Sequence, residues 1–107
     1  MANAAVGEVD IILGDKIETM RSTVAAARIV SHMGSGFLNA SARIAAMDFD
    51  LCVAVIAAGL GKKPGDVEAL VFAEGVANLS GEVSTFITYL ANGGKPPRED
   101  ATGSGEA

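Results

Sequence analysis

The sequence predicts an α+β domain, mainly α with an N-terminal β-hairpin: a small bundle of about five short helices around a buried central helix. Three observations predict it. Every residue from 51 to 58 is apolar, so a helix there has no face left for water and must lie inside the domain. Val9, Ile11 and Leu13 alternate with Glu8, Asp10 and Ile12 ahead of Gly14-Asp15, a dipeptide suited to the two-residue reversal of a hairpin. Val76, Leu79, Val83, Phe86, Ile87 and Leu90 follow one another at helical spacing and form one continuous apolar stripe.

A chain of 107 residues, 50% of them hydrophobic, can fill one modest core. Residues 1–6 have neither the basic start nor the apolar centre of a signal peptide, and a frayed lead is expected there. The single globular domain is expected over 7–92, with the hairpin in 7–21 and the helices in 23–92. Residues 93–107 are rich in Gly, Pro and charge and hold no apolar residue larger than alanine, so a disordered tail is expected.

Taken in order, a two-residue turn at Gly14-Asp15 pairs Leu13 with Lys16 and Ile12 with Ile17, but this leaves mixed faces on the second strand, so the sequence leaves the hairpin register open. Such a hairpin is marginal alone and must lean on helices. Ser22 or Thr23 is placed to cap a helix over 24–33, whose stripe is Ala26, Ile29, Val30 and Met33, with Arg28 and His32 opposite. Gly34-Ser35-Gly36 ends it. A second helix over 37–47 carries Phe37, Leu38, Ser41, Ile44 and Ala45 on one side and Asn39 and Arg43 on the other.

In the central helix, 48–60, the β-branched Val53, Val55 and Ile56 would also suit a strand, but Ala54, Ala57 and Ala58 favour a helix. Asp48 or Asp50 can cap its start, and Gly59 or Gly61 can close it. Pro64 suits a first helical position ahead of a fourth helix over 66–74, with Val67, Leu70 and Val71 inward and Gly75 as its stop. The last helix covers 76–92; Gly81 weakens its interior, and Ser80 offers a cap for a shorter helix beginning there.

The chemistry is thin. An aromatic content of 5%, no Trp and a net charge of −5 argue against nucleic acid as a partner. The longest apolar run is about half of a membrane span, so the chain is expected to be soluble and cytoplasmic. Cys52 excludes an intrachain disulfide and reads as a small buried hydrophobe, and the only histidine, His32, lacks companions at ligand spacing. Neither glycine-rich turn has the context of a phosphate or dinucleotide loop. Glu68 and Glu74 point in different directions, and Asp48 and Asp50 stand at a helix start, where the dipole favours acids. No catalytic, cofactor-binding or metal-binding residue is therefore assigned, and no enzymatic activity is expected. Phe37, Met47, Phe49 and Phe72 are large apolar residues near helix ends and are the candidates for a partner-binding surface, with burial in the core as the competing role of each.

The order of elements resembles a family. Gly7-Glu8-Val9, a glycine-containing turn, Met20-Arg21-Ser22-Thr23, an alanine-rich first helix, a glycine break before Phe37-Leu38, and Ala58-Gly59-Leu60 together look like the small tail-assembly chaperones of phages and gene transfer agents. The resemblance covers residues 7–90. The chain departs from the pattern at Arg28 and His32, where that family tends to carry glutamates. The resemblance implies a chaperone that keeps the tape-measure protein soluble during tail assembly, with the tail-tube protein as a further partner, in a bacterial host and absent from the mature particle. Two other classes are compatible with the composition: a structural virion subunit such as a head-tail connector, or a small helical protein-protein adaptor.

Overall fold

A computed structural model describes residues 1–97. Its elements are strands β1 (Val9–Leu13) and β2 (Lys16–Met20) and helices α1 (Val24–Gly34), α2 (Phe37–Ala45), α3 (Phe49–Leu60), α4 (Pro64–Glu74) and α5 (Val76–Ala91). The mainly helical fold with an N-terminal antiparallel hairpin is the one expected. Helix α3 is its centre: of 12 residues, eight are buried, Leu51 to Ala57 without a break and then Gly59. Its ends follow from single residues. The Asp48 carboxylate accepts the Leu51 N–H at 3.0 Å, and Gly61 closes the helix in the left-handed conformation at φ 69°.

The register that the mixed faces left open is that of a two-residue turn, with Leu13 opposite Lys16 and Ile12 opposite Ile17. Gly14 (φ 57°) and Asp15 (φ 70°) are both left-handed, the type I′ arrangement whose twist matches that of the strands. Val9, Ile11, Leu13 and Met20 are buried, while Ile12 and Ile17 face outward and are exposed. The hairpin is joined to the centre where the Arg21 N–H donates to the Gly59 carbonyl at 2.8 Å.

Both chain ends correct the expected boundaries. Residues 1–6 are not a frayed lead: Ala4–Val6 is a 3-10 turn capped by Asn3, and the Ala2 N–H donates to Asp10 Oδ2 at 3.1 Å. The opposite oxygen of that carboxylate accepts the Thr19 hydroxyl at 2.7 Å, so one side chain ties the lead to both strands. At the other end, residues 93–97 close α5 instead of leaving it. The Gly94 N–H donates to the Tyr89 carbonyl at 2.7 Å, and Asn92 Nδ2 donates to the carbonyls of Lys95 and Pro96. Residues 98–107 of the expected disordered tail lie outside the described residues.

Helix α1 is capped by Thr23, whose Oγ1 accepts the Ala26 N–H at 3.0 Å. Helix α4 begins at Pro64, two residues before the expected 66, because the missing proline N–H has no partner in a first turn. Helix α5 runs unbroken through Gly81, and the Ser80 hydroxyl donates to the Ala77 carbonyl instead of capping a shorter helix. Its buried face is the predicted stripe from Leu79 to Leu90.

Three other faces differ from the periodic reading; on α4, Leu70, expected inward with Val67 and Val71, is 38% exposed. Helix α1 buries Ala26, Val30 and Gly34, leaving Ile29 and Met33 exposed. Helix α2 buries Ala40 and Ile44, not Leu38, which is 87% exposed. Close approach is the reason: a Cβ at Gly34 would collide with Ala40, so the two helices meet on their smallest residues and turn larger ones outward. Among the described residues no polar or charged side chain is buried.

Candidate contact surface

The surface is built where α2 hands over to α3. The Met47 N–H donates to the Ile44 carbonyl and the Asp48 N–H to the Arg43 carbonyl, which ends α2 with Met47 left-handed at φ 65°. Arg43 then fixes the corner. Its Nε donates to Asp48 Oδ2 at 2.8 Å and its Nη1 to the Met33 carbonyl at 2.8 Å, tying the end of α1 to the start of α3. The Leu51 N–H and then Arg43 hold the Asp48 carboxyl below the usual carboxylate range.

This corner presents Phe49 as the first residue of α3. Its ring meets that of Phe72, on α4, with centroids 6.4 Å apart and planes at 83°, an edge-to-face pair. Phe72 is 78% exposed, Met47 49% and Phe49 36%. Of the four candidates, then, the structure brings Phe49 and Phe72 together, with Met47 two residues before Phe49 in the chain. Phe37 goes elsewhere: it is half-buried against the core and lines a separate groove with Leu38, Ser41, Ile87, Thr88 and Ala91.

Other exposed apolar residues were not among the candidates, notably Leu38, Ile12, Ile17 and Val24. For Ile12 and Ile17 the signal lay in the register itself, since pairing them opposite each other while Leu13 points inward forces both outward.

Charge is divided along the chain. From Met1 to Met47 the acids Glu8, Asp10, Asp15 and Glu18 are equalled in number by Lys16, Arg21, Arg28 and Arg43; from Asp48 to Ala91 there are six acids and only two bases, Lys62 and Lys63. Helix α4 carries Asp66, Glu68 and Glu74 and no base. Burial pushes the Cys52 thiol up to about 11, so it stays protonated at neutral pH, and His32 stands exposed in the last turn of α1. Among the described residues no group of three or more His, Cys, Asp or Glu could hold a metal ion, and no helix is long and apolar enough to cross a membrane. Compared with protein-family models, with curated proteins and with solved structures, the chain matches none.

Proposed function

We propose that the protein is a non-enzymatic tail-assembly chaperone of a phage, prophage or gene transfer agent, acting in the bacterial cytoplasm to keep the tape-measure protein soluble until the tail tube forms around it. The observation that carries this reading is the exposed Phe49–Phe72 pair, since aromatic rings left in water on a small domain are the material of an interface. A tape-measure protein is long and helical with apolar stripes, and an apolar surface on an acidic carrier can cover such a stripe while the net charge of −5 maintains solubility.

Co-expression tests it. The chaperone should hold an otherwise insoluble tape-measure protein in solution, and the complex should survive molar salt, because apolar burial contributes about 25 cal/mol per Å² and is not screened. Phe72→Ser should lose the client while circular dichroism shows a folded domain; Phe37→Ser, at a half-buried residue packed against the core, should lower stability. No capture by the parent protein at low or high salt, with the client demonstrably expressed, would remove the chaperone reading in favour of a virion subunit, which purified particles would contain.

A further inference from the structure

The Phe49–Phe72 surface has a chemical surround that narrows what can sit on it. Glu68 lies one turn before Phe72 on α4, both exposed, and Asp50 stands exposed beside Phe49 in the first turn of α3. The ion pairs among the described residues are Arg21–Glu8, Arg43–Asp48 and Lys62–Glu18, so Asp50 and Glu68 have no cation of their own. Gly65 and Ala69, both exposed, lie on the same side of α4 as Phe72, low ground on which a second backbone can come close.

We infer that this surface takes an amphipathic helix whose apolar stripe is bordered by lysine and arginine. The stripe seats on the two rings, and the basic borders meet Asp50 and Glu68. An acid-bordered helix of the same apolar content would set like charges against those two carboxylates and would be rejected. The apolar contact holds the complex, whereas the exposed charges choose among helices and speed encounter within a Debye length of about 10 Å at 0.1 M salt. The inference deepens the chaperone reading, since it states which stretches of a long helical client would be held.

Two synthetic peptides test it on the intact protein: amphipathic helices with one leucine stripe, bordered by lysine in one and by glutamate in the other, followed by fluorescence anisotropy. The lysine peptide should bind about tenfold or more tighter at low salt, with the two converging as salt approaches molar. Phe72→Ser should abolish binding of both. Glu68→Lys combined with Asp50→Asn should erase or reverse the preference, with a melting curve showing each variant folded. Equal affinities at low salt, binding of neither peptide, or a preference that survives both sets of substitutions would overturn the inference. Capture of the tape-measure protein without any peptide preference would sink this inference and leave the chaperone standing; peptide preference without capture would do the reverse.

Discussion

The backbone of Gly59 lies directly against the side chain of Met20: a Cβ at that glycine would stand 2.7 Å from Met20 Cβ and 3.0 Å from Phe86 Cε2. The central helix, the second strand and the last helix meet there, beside the hydrogen bond from the Arg21 N–H to the Gly59 carbonyl. Overpacking such a contact costs about 1–3 kcal/mol, more than the roughly 1 kcal/mol that alanine gains over glycine in a helix. Gly59→Ala should therefore destabilise the domain. Gly81→Ala is the counterpart, because nothing lies within 4 Å of a Cβ there and the position is exposed. It should stabilise by up to about 1 kcal/mol. Urea midpoints moving in opposite directions would bear this out; a shift of both in one direction would refute it.

Asp48 gives the fold an acid-side dependence. Its carboxyl, ordinarily at 3.8, is lowered first by the Leu51 N–H and then by Arg43. A group depressed in the folded state contributes its full stabilisation above the unfolded value and loses it as pH falls through the folded one. Asp48→Asn can keep the cap, since asparagine caps about as well, but it removes that titration and the pairing with Arg43. The variant's stability should fall less steeply than the parent's as pH is taken below the ordinary carboxylate value of 3.8. Some slope should remain from Asp10, lowered chiefly by the Thr19 hydroxyl and next by the Ala2 N–H. Asp48→Ala should lose about 1 kcal/mol at neutral pH with the cap. Thermal melts from neutral pH down through the acid range measure all three.

Met47 separates shape from contact. A non-glycine residue in the left-handed region is held at a cost of roughly 1–2 kcal/mol, so Met47→Gly relieves strain while deleting the side chain. The variant should fold at least nearly as stably as the parent, and its capture of the client should fall if Met47 extends the Phe49–Phe72 surface. Undiminished capture would restrict the surface to the two rings.

Much of the fold was legible because single residues decide it. Gly14-Asp15 set the place of the reversal, Asp48 and Thr23 the helix starts, and the stripe from Leu79 to Leu90 the buried side of α5. What periodicity could not reach was packing through small residues. Leu38 outweighs Ala40 in any hydrophobic count, yet α2 turns Ala40 inward because Gly34 allows backbones to meet, a relation set by distance in space. The candidate surface was legible in part. Phe49 and Phe72 could be picked out as large apolar residues near helix ends, but no local pattern links residues 23 positions apart, and their edge-to-face contact follows only from the antiparallel turn of α4 against α3.

An interior without a buried polar side chain among the described residues has no side-chain hydrogen bonds to tell one close packing from another. Register in such a core is keyed by missing atoms: the hydrogens of Gly34 and Gly59 admit Ala40 and Met20, and any slip would bring a Cβ where only a hydrogen fits. The chain should thus forgive exchange among leucine, isoleucine and valine across most of its centre, while a single added methyl at either glycine meets resistance. Under drift, this fold would preserve its notches longer than its bulk.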